Sequence, residues 1–275
     1  MRSPFEPGPA EPAHSVAEVY SNQTPPLLPS AEDLAAHVAA LDLGDTPLHV
    51  LMLGVTPALF RLPWPEGTIV RAVDRSLPMI EHVWPGPVGA AEVGDWTRLP
   101  FENARFDRIV SDGGLAFFGP PSIEDARDEL ARVLRPGGLF VARLYVWDRS
   151  QRIDRIVDEV ARGAIATANE MRIRSWSALQ VSLDEGLVLG EAFDAIVARV
   201  GSPERLIELT DLEPEQFVPF LASAGSALRY TMWPSDALIE TWTGSGHFEL
   251  QSLTVPAHRL GALCPVLAFR RTDTA

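Results

Sequence analysis

Five short apolar runs, each tied to a glycine or an aspartate, constrain this chain more than any other feature. His49-Val50-Leu51-Met52-Leu53 stops at Gly54, Thr68-Ile69-Val70-Arg71-Ala72-Val73 stops at Asp74, and a short run over 90–93 stops at Gly94-Asp95-Trp96. Phe106-Asp107-Arg108-Ile109-Val110 leads to Asp112, and a run over 138–145 follows Pro136-Gly137. Runs of this length with little polar alternation read as strands buried on both faces. Helical spacing fills the gaps between them. Ser30 is an N-cap candidate with Asp33 in the first turn, followed by Leu34, Val38 and Leu41; further helices are expected over 77–83 and 123–134. Strand and helix in alternation require right-handed crossovers. The expected class is therefore α/β, a Rossmann-like and mostly parallel sheet with helices on both sides.

Beyond Tyr145 the period changes. Ile153, Ile156, Val157 and Val160 form one helical stripe, Phe193, Ile196, Val197 and Val200 a second, and Phe217, Phe220 and Leu221 a third before Gly225, which reads as a C-cap. Strand patterns return over 248–255 and 266–270, where the short connection suits an antiparallel hairpin at the sheet edge. The expected organisation is an N-terminal extension or flap over 1–29, a core over 30–146, a helical insert or cap over 147–245, and C-terminal strands over 246–275 that complete the sheet.

Charge narrows the partners. The chain has 23 basic against 37 acidic residues, a formal net charge of −14, and every basic residue is Arg. A surface this acidic repels polyanions, so no nucleic-acid partner is expected. Without Lys there is no Schiff-base chemistry and no P-loop lysine. Cys264, the single cysteine, sits in an apolar run and reads as a buried, inert thiol. No histidine pair has zinc-ligand spacing, so no metal is expected. No stretch has the length or apolarity of a membrane span, and the N-terminus lacks the apolar centre of a signal peptide, which makes a cytoplasmic location the expectation.

In open α/β sheets ligands bind outside the carboxyl ends of the strands. The residues that follow the strands here are Gly54-Val55, Asp74-Arg75, Gly94-Asp95-Trp96 and Asp112-Gly113, with Met79 in the helix after Asp74. Asp74 lies 20 residues beyond Gly54, the spacing at which an acid accepts hydrogen bonds from a ribose. A dinucleotide needs three glycines in the first loop. This loop, Gly54-Val55-Thr56-Pro57-Ala58-Leu59, has one, and Pro57 offers no N–H to a phosphate. A nicotinamide or flavin dinucleotide is therefore disfavoured. S-adenosylmethionine, which has a ribose and an adenine but no phosphate, fits better, and its sulfonium and amino group suit carboxylates such as Asp112.

The same residues resemble a family. Val50-Leu51-Met52-Leu53-Gly54, Ala72-Val73-Asp74-Arg75-Ser76 with Met79, Gly94-Asp95-Trp96 with Leu99-Pro100-Phe101, Phe106-Asp107-Arg108-Ile109-Val110, and the stretch from Leu130 to Gly138 look like the ordered motifs of class I S-adenosylmethionine-dependent methyltransferases. The resemblance implies that Asp74 holds the ribose hydroxyls, that Asp95 meets the adenine amino group with Trp96 beside the ring, and that Gly54 admits the methionine part. Met52 stands where the family usually has an acid, and Thr56 and Ala58 where it has glycines. His14 and Tyr20 precede the core and are placed for a flap. His82, His247 and His258 are spread along the chain and read as surface or core residues, so no general base is assigned. The expected function is methyl transfer to oxygen or nitrogen of a small molecule. The alternative is a catalytically weak or inactive relative that binds S-adenosylmethionine or acts as an interaction module through its insert.

Overall fold

The computed structural model describes residues 16–272. Five parallel strands, β1 (His49–Leu53), β2 (Ile69–Asp74), β3 (Ala91–Val93), β4 (Phe106–Asp112) and β5 (Leu134–Arg143), are followed by a two-residue ribbon of β6 (Leu187–Val188) and β7 (Arg229–Tyr230), then by β8 (Phe248–Thr254) and β9 (Val266–Arg271). The main sheet has seven strands in the order β3-β2-β1-β4-β5-β9-β8, with β9 antiparallel to both of its neighbours. This is the expected Rossmann-like sheet with its antiparallel edge pair, and β1 lies in its interior between β2 and β4.

The apolar run of β1 is explained by two-sided burial. Leu51 and Leu53 pack on one face with Ile123, Ala126 and Leu130, while Val50 and Met52 pack on the other with Ala36, Leu41 and Leu59. The first face is covered by α5 (Ser122–Val133), the second by α2 (Ala31–Leu41) and by the single-turn α3 (Pro57–Phe60). Ser30 does cap α2. Its hydroxyl accepts from the Asp33 N–H at 3.2 Å, and the Asp33 carboxylate accepts from the Ser30 N–H at 2.8 Å, a complete capping box.

The remaining helices are α1 (Val16–Ser21), α4 (Leu77–His82), α6 (Ile153–Ala161), α7 (Ala168–Leu179), α8 (Leu189–Val200), α9 (Pro203–Glu208), α10 (Val218–Leu221) and α11 (Ser235–Thr243). The three apolar stripes read from the sequence fall in α6, in α8, and in α10 with the turn before it. Together they form one satellite core with Met171 of α7. Gly225 does not cap that third helix: α10 ends at Leu221 with Ala222 as its C-cap, and Gly225, at φ 68°, shapes a later turn. Leu134 likewise begins β5 instead of ending α5. It pairs with Phe106 before the ladder slips and resumes at Arg108 and Leu139, so the Pro136-Gly137-Gly138 turn is a bulge within the strand.

Within the 147–245 stretch, α11 packs on the sheet. Its Trp242 is fully buried and stacks on Phe140 and Phe269, at centroid distances of 4.7 and 5.2 Å. Cys264 is also fully buried, and its burial pushes the thiol up to about 12. The native protein is expected to resist iodoacetamide at pH 8 and to be alkylated only after unfolding, a difference that mass spectrometry reads directly.

Candidate functional site

The carboxyl ends of β1, β2 and β4 converge on Gly54, Asp74 and Gly113. Gly54 adopts φ 82°, a conformation open to glycine, and donates its N–H to Val73 O at 2.9 Å. Asp74, half-buried at the end of β2, is held by two backbone donors: Val55 N–H to Oδ2 and Ser76 N–H to Oδ1, both at 2.8 Å. Each oxygen keeps a further lone pair. The carboxylate is thus oriented before any ligand arrives. Ser76 also caps α4 by accepting from Met79 N–H, which fixes the start of the helix that follows Asp74.

Asp95 is exposed beyond β3, and its Oδ1 accepts from both the N–H and the hydroxyl of Thr97, at 2.9 and 2.8 Å. Trp96 turns the other way. It is buried, its Nε1 donates to Val73 O at 2.9 Å, and its ring lies against Gly54 and Gly114 with Phe118 at 5.8 Å. A Cβ on Gly114 would overlap that ring. Trp96 is therefore a packing floor between Gly54 and Gly114, while the ring of Phe117 carries a cation, with the Arg75 guanidinium 3.7 Å above it.

Asp112 is placed differently from the expectation that it faces a cationic ligand. Its side chain is 4% exposed, and Arg143 Nε donates to its Oδ1 at 2.5 Å. Arg143 Nη1 also donates to Asp33 Oδ2 at 3.1 Å and to Pro26 O at 2.7 Å, and His258 Nε2 lies 3.0 Å from Asp33 Oδ1. Burial alone would weaken the hold of Arg143 on its proton, but Asp112 outweighs it and the guanidinium stays charged. This buried cluster ties α2 and the segment before it to the ends of β4 and β5. The sequence offered one signal for it, a lone Arg inside the run Phe140-Val141-Ala142-Arg143-Leu144.

Gly113, at φ 67°, lies against the Tyr145 ring, and a Cβ there would overlap it. The Tyr145 hydroxyl donates to Leu27 O at 3.1 Å. Burial, followed by the charge of Asp112, holds that hydroxyl well above the usual tyrosine range. Beyond Tyr145 an aromatic layer leads into the insert, through Trp176 to Tyr230 and Phe117. Thr231 N–H, just after β7, donates to Ala116 O at 2.7 Å, so the insert is stitched to the turn after β4. From the N-terminal side α1 packs on both α4 and α10. Tyr20 of α1 is half-buried, and burial and then Asp112 raise its hydroxyl above the usual range. His14 lies outside the described residues. Of the other histidines noted in the sequence, His82 and His247 are exposed.

Residues 51–142 match the family model described as a methyltransferase domain. None of the curated proteins matches the sequence. Among solved structures, a Rhodobacter sphaeroides protein described as a Zn-dependent alcohol dehydrogenase is 14% identical with a TM-score of 0.54, covering 94% of this chain and 98% of that one. A chain from the complex of the Haloferax volcanii Trm112 methyltransferase activator with its methyltransferase partner is 14% identical at a TM-score of 0.52, covering 87% and 89%. An S-adenosylmethionine-dependent methyltransferase from Mesorhizobium loti is 17% identical at 0.49, covering 88% and 98%. At these identities the likeness to the first two is one of fold alone. Among the described residues no three His, Cys, Asp or Glu side chains gather as metal ligands.

Proposed function

On the premise that residues 51–142 form a methyltransferase domain of the class I S-adenosylmethionine-dependent family, we propose that this protein transfers a methyl group to oxygen or nitrogen of a small molecule bound between the sheet edge and the insert. The single observation that carries this reading is the Asp74 carboxylate, fixed by Val55 and Ser76 with acceptor capacity to spare. That arrangement suits a pair of vicinal hydroxyls. The cofactor is S-adenosylmethionine, and its nucleoside half fits the residues present: Asp74 holds the ribose, exposed Asp95 accepts from the adenine amino group, and Gly54 lets the backbone approach. Gly94, Arg75, Met79, Val55 and Gly113 border the same region. When bound, the cofactor supplies an electrophilic methyl group for in-line displacement.

The protein's part in that displacement is orientation and exclusion of water. In this reading α1, packed on α4 and α10, and the aromatic layer would cover the bound cofactor, and no side chain needs to act as base for an acceptor that is already nucleophilic. Calorimetric titration with S-adenosylmethionine, S-adenosylhomocysteine and NADH tests the reading. The first two are expected to bind and the third is not. Asp74→Ala is expected to weaken S-adenosylhomocysteine by about 1.5–3 kcal/mol, the range for losing hydrogen bonds to a charged acceptor. An unchanged affinity removes Asp74 from the site.

One observation favours the weaker or inactive alternative. Around the methionine half, Met52, Thr56 and Ala58 replace an acid and two glycines, and Asp112 is committed to Arg143. Binding that rests on the nucleoside predicts that adenosine competes while free methionine does not. Label transfer from methyl-labelled cofactor to any acceptor in a broad panel separates the enzyme from the sensor.

A further inference from the structure

Among the described residues, buried arginines come with carboxylates, with one exception. Arg143 is held by Asp33 and Asp112, and Arg174 by Glu159 and Glu170. Arg172, on α7 and 6% exposed, has no such partner among the described residues. Its Nη1 donates to Asn169 Oδ1 at 2.8 Å and reaches Gln23 Oε1 at 3.4 Å, and its Nε has no hydrogen-bond partner. The charged or ionisable groups that face it are the hydroxyls of Tyr230 and Tyr145, and burial lowers the guanidinium to about 10. A buried cation without a counter-charge is costly, far more so than one in a pair.

The surroundings indicate what completes it. The guanidinium carbon lies 5.2 Å from the Trp176 ring centroid, and Trp176 contacts both Tyr145 and Tyr230. Tyr145 in turn lies against Gly113, and Tyr230 packs on Phe117, which carries Arg75. Arg172 is therefore linked through Trp176 to an aromatic layer that reaches Gly113 by way of Tyr145 and Arg75 by way of Tyr230 and Phe117. Asn169 also donates to Thr24 O at 3.0 Å, which fastens this helix to the segment that leads from α1. A planar fork of N–H donors matches a carboxylate, and the rings around it match a flat apolar body.

We propose that Arg172 receives the carboxylate of an aromatic methyl acceptor, bound in the layer formed by Trp176, Tyr230 and Tyr145. The proposal rests on the methyl-transfer reading and names its substrate class. The carboxylate of the cofactor's own methionine is the competing source of the same chemistry, and the experiment separates the two.

The test uses the full chain and Arg172→Met. Without ligand, the variant is expected to melt higher than wild type, because an unpaired buried charge gives way to an apolar side chain of similar length. A lower melting temperature makes Arg172 a structural brace and overturns the proposal. With S-adenosylhomocysteine saturating, benzoate is expected to bind wild type at least tenfold tighter than benzamide, and the preference is expected to vanish in the variant. Equal binding of the two probes by wild type, or no binding of benzoate, overturns it. S-adenosylhomocysteine and 5′-methylthioadenosine, which lacks the carboxylate, are expected to keep their affinities in the variant. A loss for the first alone moves Arg172 to the cofactor and overturns the acceptor assignment. Failure of wild type to bind S-adenosylhomocysteine at all defeats the methyl-transfer reading itself, a result distinguishable from the others.

Discussion

Arg143→Met is expected to lower folding stability by about 3–5 kcal/mol, because it strands two buried carboxylates instead of removing one cost. Asp33 is fully buried and the Asp112 side chain is 4% exposed, so neither recovers its lost partner from water. Asp33 retains His258 at 3.0 Å, while Asp112 has no second cation in hydrogen-bond reach among the described residues. Pro26 O loses its donor as well. Urea denaturation of wild type and variant reads the difference. Arg143→Met with Asp112→Asn is expected to recover part of the loss, since the second change removes a stranded charge, and the non-additivity measures the pair. A loss below about 1 kcal/mol, the worth of an exposed pair, would mean that water reaches the cluster.

The same substitution is thus expected to act in opposite directions at two buried arginines. At Arg143 the neighbours are acids, and removing the cation leaves them uncompensated. At Arg172 the neighbours are amides and aromatic rings, and removing the cation relieves the interior. Burial is similar at the two positions, 0% and 6% exposed. The sign is therefore set by the counter-charge.

How much of this was legible in the sequence follows from the range of the interactions. The strands were legible because each is a local apolar run, and the placement of Asp74 because it follows directly from the end of one. Its two fixing donors, Val55 and Ser76, lie in the loops adjoining those same strand ends. The α2 start was legible because a capping box spans only the four residues from Ser30 to Asp33. α7 was not. Nearly every residue from Ala168 to Ser177 is buried, the polar ones included, so the helix carries no apolar stripe for a period to reveal. Glu170 and Arg174 are also held by residues far off in sequence, Arg259 on Glu170 and Gln151 on Arg174. The Arg143 cluster was hidden for the same reason, since it joins residues 26, 33, 112 and 143. Trp96 was legible as a site neighbour, but which way its ring turns depends on two glycines at the ends of other strands.

Trp96→Ala is expected to cost about 3–5 kcal/mol, the usual range for removing a buried tryptophan side chain. The ring fills the space between Gly54 and Gly114 and packs on Phe118, and neither glycine can send a side chain into the hole. Val73 O keeps the Gly54 N–H as a donor, so the lost indole hydrogen bond is the smaller part of the cost. This separates the floor from an adenine platform. Trp96→Phe preserves most of the volume and is expected to cost far less, about 1–2 kcal/mol, with the affinity for S-adenosylhomocysteine within threefold of wild type. Trp96→Ala is expected to lose affinity as well as stability, because Gly54 and its Val55–Asp74 bond then rest on a cavity. The two properties are read by denaturant unfolding and by calorimetry on the same samples. A Trp96→Phe protein that stays stable yet binds more than tenfold more weakly would return the indole to direct contact with the adenine, and the floor assignment would then be wrong.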